Sequence, residues 1–414
     1  MSPTPRLAVL VALTGASALL LPAGLVALLG VVLLGAALAD ARTVRRRAGV
    51  SRNVAAVLSR GVASPLELHA EVPASASVRL RQAAPAALAI RPPMGDGELS
   101  AQVVPLRRGR HVLPPAALRV EGPMGLTALH RTGAGESELT VLPDLPAARR
   151  LALAVRNGQF REEGRTSRGP LGLGTEFESV RDYLPDDDIR QVNWGATARL
   201  GRPMSNQYRL EQDRDLMCVV DAGRLMAATL GDRSRLDAAL DAVTAVALVA
   251  DEAGDRCGAL AFDTEIVRHV RPRRRGSRAV VQSLFDLEPS SRDSDYELAF
   301  RAAASGKRSL VLVFCDLVEE SAARPLLEAV PVLARRHHVV VASVTDPDLQ
   351  AASASPDNPA QAYAQAVAVD VLATRRRVAR MLSRTGAEVL EAPPEALGAA
   401  CVRAYLRAKR QARL

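Results

Sequence analysis

From Leu7 to Ala39 the chain runs 33 residues without a charged side chain, and just past Asp40 it becomes Arg42, Arg45, Arg46 and Arg47. One helix of that length would rise about 50 Å, whereas the hydrocarbon core of a bilayer is about 30 Å thick and needs about 20 residues. Leu21-Pro22-Ala23-Gly24 stands mid-run, where Pro removes a helical donor and Gly favours a turn. The pattern therefore predicts a transmembrane helical hairpin, with one tilted or kinked helix as the alternative. Arg-rich flanks stay in the cytoplasm, so either threading places the main body on the cytoplasmic side of the inner (plasma) membrane, in contact with membrane lipid. A cleaved export signal is the rival, because Ala37-Leu38-Ala39 resembles a cleavage site. Its apolar stretch would be about twice the usual 7 to 15 residues, and the arginines beyond it oppose export.

Between Ser51 and Leu142, short alternations such as VRLRQ and LTVL are broken by Pro and Gly in RPPMGDG, VLPP and EGPMGL. That rhythm predicts a small antiparallel β-sandwich. Past Asp215 the rhythm changes. Strands are expected at DLMCVVDAG, CGALAFD, SLVLVFCD, HVVVASVTD and AEVLEA, with helices over 234–253, 277–287, 296–304, 322–335, 361–383 and 394–409. Apolar runs alternating with amphipathic helices require a sheet covered on both faces, so the expectation is a doubly wound, mostly parallel α/β domain of about six strands. The expected division is a hairpin over 1–42, a β-sandwich-like domain over 43–148, a distinct segment over 149–212 and the α/β domain over 213–414.

Composition removes several alternatives. The net charge of +9 is carried almost wholly by Arg spread along the chain, with Lys307 and Lys409 the only lysines and few aromatics interleaved. A nucleic-acid partner is therefore not expected. Arg273, Arg274 and Arg275 read as a solvated loop, with an anion contact as the other reading. Cys218, Cys257, Cys315 and Cys401 are widely spaced without a CxxC pattern, which suits core thiols in the cytosol. His69, His111 and His130 are isolated, and His337-His338 opens a strand with no third ligand in view. Zinc spacing, a GxSxG elbow and a GxxxxGK[ST] loop are all missing from the sequence, so an enzyme is not expected.

Three acids, Asp221, Asp316 and Asp346, fall at predicted strand ends. Ligands of open α/β sheets gather there, and converging carboxylates could hold a hard divalent cation. Single acids at such positions also cap the helix or turn that follows.

Between the two main regions lies TEFESVRDYLPDDDIRQVNWGATAR, Thr175 to Arg199, with the only tryptophan of the chain. Phe177, Tyr183 and Trp194 alternate with acids and arginines, a composition expected to form aromatic anchors in a network of Arg and carboxylate pairs. Asp186, Asp187 and Asp188 point in different directions and read as a turn and helix start, over a metal or acid/base cluster.

The segment resembles the hallmark of the bacterial domain-of-unknown-function family fifty-eight: Glu-Phe, then Arg-x-Tyr-x-Pro-Gly-Asp-Asp, Arg-x-Ile-Asp-Trp and Ala-Arg. The matching positions are Glu176 and Phe177; Arg181, Tyr183, Pro185, Asp187 and Asp188; Arg190 and Trp194; Ala198 and Arg199. Asp186, Val192 and Asn193 depart from the pattern at its Gly, Ile and Asp. The resemblance extends over nearly the whole chain. It implies a transmembrane pair, a β-rich region with a phrase like EGPMGL, and a von Willebrand factor A-like domain.

Domains of that kind often bind Mg²⁺ at a metal-ion-dependent adhesion site, an Asp-x-Ser-x-Ser loop joined by a Thr and a later Asp. Here Asp221 opens the loop, but Gly223 and Leu225 occupy the serine positions; Ser294 stands at the Thr position and Asp316 at the later Asp. Two oxygen ligands are missing, and Arg224 adds a competing charge, so the expected metal site is degenerate.

The resemblance further implies a protein-interaction scaffold that works with a MoxR-type AAA+ ATPase in the assembly or maturation of a client protein. A structural envelope protein without an ATPase partner, or a hydrolase, are the alternatives.

Overall fold

The computed structural model describes residues 2–45, 49–72, 76–158, 176–184, 187, 189–209, 214–304, 307–317, 320–354 and 358–411. Arg46, Arg47, the glycine-rich stretch 169–174, Thr175, Pro185, Asp186 and Asp188 lie outside them. At Glu176, Phe177 and Arg190 only the backbone is described. The chain divides into two compact units, Met1–Leu142 and Pro143–Leu414.

The first unit opens with two helices, α1 (Pro5–Ser17) and α2 (Ala23–Arg45), joined at the Pro22 turn. Thr4 caps α1 and Pro5 takes its first position, where the missing donor costs nothing. At about 1.5 Å per residue, α2 rises about 35 Å and is long and apolar enough to cross a membrane. Helix α1 rises only about 20 Å, so the expected pair forms but only one member has full crossing length.

Both ends of the pair return to one loop. Ser2–Pro3 pairs antiparallel with Thr127–Ala128. Near the end of α2, the Asp40 carboxylate accepts from the amides of Met124, Leu126 and Thr127, each at 2.9 Å, and from the Thr127 hydroxyl at 3.1 Å. Gly122 makes room for it, since a Cβ there would lie 2.1 Å from Asp40 Oδ1. The EGPMGL phrase is thus the seat of the hairpin. The Thr4 hydroxyl completes the joint by donating to the Gly125 carbonyl.

Beyond the hairpin, three small sheets enclose one aliphatic core that includes Leu66, Leu80, Val103, Leu113 and Val141. Pairing is antiparallel apart from Ser137–Leu142 beside Val57–Ser59, which is parallel. Buried and exposed residues alternate along Glu98–Pro105, which sends every second side chain inward.

The second unit holds a six-stranded mixed sheet: β1 (Asp215–Asp221), β2 (Arg256–Phe262), β3 (Ile266–Arg274), β4 (Leu310–Phe314), β5 (His338–Val344) and β6 (Glu388–Ala392). The order is β3-β2-β1-β4-β5-β6, parallel except for β3 at one edge. Strand β3 corrects the reading of the arginine knot. Arg273 and Arg274 end an edge strand, and the chain leaves it through Arg275 at φ 51° into Gly276. Charge and Pro272 on that strand discourage pairing with another chain.

Among the described residues, nine α-helices accompany these strands or flank them. Helix α3 (Leu145–Arg156) comes first, followed by α4 (Trp194–Leu200). Then come α5 (Arg235–Glu252), α6 (Ser277–Leu284), α7 (Tyr296–Ala303) and α8 (Glu320–Ala334). The last three are α9 (Pro347–Ala352), α10 (Pro359–Arg384) and α11 (Pro394–Arg410). Successive strand residues point to opposite faces, so Cys218, Val220, Leu312 and Val340 meet α3, α5, α6 and α11. Val219, Val311, Val313 and Val341 meet α7, α8 and α10 on the other face. All four cysteines are free and buried.

At the amino end of the sheet one polar network is sealed inside. Lys409 donates to Asp255 at 2.7 Å and to the Ala253 carbonyl at 3.1 Å, and the Tyr405 hydroxyl donates to the same carboxylate. Asp255 also accepts from the Arg214 amide at 3.2 Å.

Candidate functional site

Two strands, Glu176–Asp182 and Met204–Arg209, pair antiparallel and carry the hallmark between them. Arg181 grips Asp187 through two nitrogens, at 2.8 and 2.6 Å, and the Leu184 amide adds a third donor at 2.9 Å. The Tyr183 hydroxyl closes the turn on the Asp187 carbonyl at 3.0 Å. Asn193 caps α4 by accepting from the Ala196 amide at 2.8 Å, and its side-chain amide donates to Asn206. An Asp here would also cap, but only the amide can do both.

The expected aromatic anchor is not packed. Trp194 is 69% exposed, and Leu184, Ile189 and Leu200 are exposed along the same stretch. A two-stranded ribbon with a seven-residue helix has too little interior to cover a tryptophan. Arg199 turns back to the Gly195 carbonyl at 3.2 Å and forms no charge pair among the described contacts. The hallmark is a polar clasp that displays apolar side chains.

The Arg181 guanidinium beside Asp187, with help from the Leu184 amide, holds the Asp187 carboxyl below the usual carboxylate range. A lowered folded value stabilises above the unfolded value of about 3.9 and is lost as pH falls through the folded value. Acid titration followed by the fluorescence of Trp194 is expected to show this step. Asp187→Asn is expected to remove it, and an unchanged titration in that variant would count against the clasp.

At the carboxyl end of the sheet, Asp221 is buried and accepts from the Gly223 amide at 2.7 Å, from Tyr296 at 2.5 Å and from Ser294. Burial raises its carboxyl above the ordinary value against those three donors. Burial and the neighbouring Asp221 charge likewise keep the Tyr296 phenol protonated, as a donor. Asp221 and Ser294 therefore meet as the resemblance implied, but through a direct hydrogen bond. Arg224 turns away to Asp293. Asp263, at the end of β2, belongs to the same row and accepts from the Glu265 amide at 3.0 Å.

Asp316 has different company. Arg235, the first residue of α5, pairs with it, and Arg375 of α10 reaches its Oδ1 at 3.2 Å. Arg235 also lies 3.8 Å from Asp346, which caps α9 through the amides of Asp348 and Leu349. Arg375 is held by Ser343 at 3.1 Å, the Val344 carbonyl at 2.8 Å and Glu391 at 3.5 Å. Burial and the neighbouring Arg375 pull the Arg235 guanidinium down to about 10. Sequence reasoning missed both arginines, because positions 235, 316 and 375 meet only in the folded sheet.

These residues do not fit a divalent cation. A Cβ on Gly223 would lie 2.2 Å from Ser294 Oγ and 3.1 Å from Asp221 Oδ1, so the loop has no room for the missing serine. Asp316 is already neutralised by guanidinium. Among the described residues, no group of three or more His, Cys, Asp or Glu is placed to hold a metal.

The clasp and the row of acids beyond it fall within one stretch of homology. Residues 179–384 match the family described as Protein of unknown function DUF58. The DUF58 match takes in the hallmark from Ser179 onward and the α/β unit as far as the end of α10. It does not reach the hairpin or the β-rich unit, so it is narrower than the resemblance implied. Uncharacterized proteins of Mycobacterium bovis and Mycobacterium tuberculosis are 25% identical to this chain over 183 residues, which is 42% of this chain and 56% of each relative. The chain thus spans little more than half the length of these curated relatives.

Proposed function

We propose that this chain is a membrane-tethered interaction scaffold whose DUF58 region binds another protein without transforming it. The observation that carries the reading is the exposed Trp194 on a hallmark otherwise fixed by the Arg181–Asp187 clasp. Exposed aromatic side chains on rigid supports are typical anchors of protein interfaces. In this reading the six-stranded sheet is von Willebrand factor A-like, the tether holds it at the cytoplasmic face of the membrane, and the partner is a MoxR-type AAA+ ATPase. The ATPase supplies the energy for maturing a client, since the sequence has no phosphate-binding loop of its own. Partner and fold family here rest on the resemblance of the hallmark, and location rests on the arginines that follow the apolar run.

Trp194→Ala should change stability by no more than about 0.5 kcal/mol, as for other surface substitutions. The test is copurification from solubilised membranes with the parent chain and this variant, each checked by urea unfolding. An AAA+ ATPase retained by the parent and lost by the variant supports the proposal. An ATPase held equally by both removes the role of Trp194, and none with either favours a structural envelope protein.

A further inference from the structure

We infer that Arg235 stands in for a divalent cation at the carboxyl end of the sheet, so that this end of the DUF58 region carries its own permanent positive charge. Three carboxylates gather there from neighbouring strands: Asp316 just beyond β4, Asp346 just beyond β5 and Glu391 in β6. Their charges would repel one another, and the Asp316 side chain is only 1% exposed. Burying a carboxylate without a partner is costly enough that the site must contain a cation.

The position of Arg235 shows how strong the demand is. It opens an 18-residue helix, where the backbone dipole disfavours positive charge, and its side chain is 9% exposed. Ser234 and Asp237 already cap that helix through a reciprocal pair of hydrogen bonds, so the guanidinium is not needed there for helix termination. Its only ion-pair partners among the described contacts are Asp316 and Asp346. Arg375 supplies the second guanidinium and is fixed by Ser343 and Val344, which leaves Arg235 as the group bridging the carboxylates of β4 and β5. A cavity of about 300 Å³ opens on Asp346, Arg375 and Glu391, at the edge of the cluster.

Removing Arg235 leaves Asp316 and Asp346 without the guanidinium that bridges them, while Glu391 stays paired with Arg375; a hard divalent ion that keeps most of its own waters suits the vacated bridging position. This inference concerns the chemistry of the cluster and does not depend on the partner proposed above.

The test uses the full chain in detergent, with Mn²⁺ as the probe and free Mn²⁺ read by electron paramagnetic resonance. The parent is expected to bind no Mn²⁺ that Asp316→Asn abolishes, and its melting temperature should not respond to EDTA. Arg235→Ala is expected to bind Mn²⁺ at least about tenfold more tightly than the parent, and Asp316→Asn should remove that gain. If Arg235→Ala does not fold in EDTA, refolding in Mn²⁺ is expected to recover it, while Arg235→Lys folds without metal. Asp316-dependent Mn²⁺ binding by the parent would overturn the inference. So would an Arg235→Ala chain that gains no binding, or that fails to fold with Mn²⁺ as well as without it.

Discussion

Replacing Lys409 by Met is expected to destabilise the second unit by about 3–5 kcal/mol, the cost of breaking a buried ion pair from one side. The Lys409 and Asp255 side chains are 2% and 0% exposed, so bulk solvent does not reach the carboxylate to replace the lost ammonium. Asp255 would keep the Tyr405 hydroxyl and the Arg214 amide but would lose its counter-charge. Urea unfolding of the full chain in detergent would measure the loss. Adding Asp255→Leu to Lys409→Met should recover part of it, because replacing both charges leaves no orphan. A loss below about 1 kcal/mol, the range of exposed pairs, would show that the network is solvated.

The second large effect is expected at Asp40. Asp40→Ala deprives three amides and a hydroxyl of their acceptor, and hydrogen bonds to charged groups contribute about 1.5–3 kcal/mol each without adding fully. Local opening of the Gly122–Thr127 loop should become easier by about 3 kcal/mol, which is about a hundredfold in amide exchange at Leu126 and Thr127. Asp40→Asn keeps one acceptor oxygen and should fall between. Exchange rates unchanged in both variants would show that the helix end is not held by this carboxylate.

Four of the five parallel strands could be read from the sequence because each carries an apolar run buried on both faces, whereas β6, at the edge, is the mostly half-buried EVLEA. Strand β3 escaped because an edge strand with one solvated side carries Arg and Pro where a core strand carries Val. The acids at strand ends were visible, but their partners were not. Asp346 is the helix cap that a single acid suggested, and Asp221 meets Ser294 as the family resemblance implied, whereas the pairing of Asp316 with Arg235 and Arg375 depends on tertiary placement.

Trp194 misled for a different reason. Aromatic composition suggests burial, yet burial requires a layer to pack against, and the clasp has none among the described residues. Lys409 did leave a trace in a chain whose base is otherwise almost all Arg. A flexible ammonium meets a single carboxylate oxygen and a carbonyl in a tight core more readily than a planar fork does.

The seating of the hairpin on the EGPMGL loop has a practical corollary. A fragment trimmed to begin after Arg45 would shed more than two apolar helices. It would uncover a bare row of amides at Met124, Leu126 and Thr127 and, through loss of Ser2–Pro3, an unguarded margin along Thr127–Ala128, both inviting the fragment to stick to copies of itself.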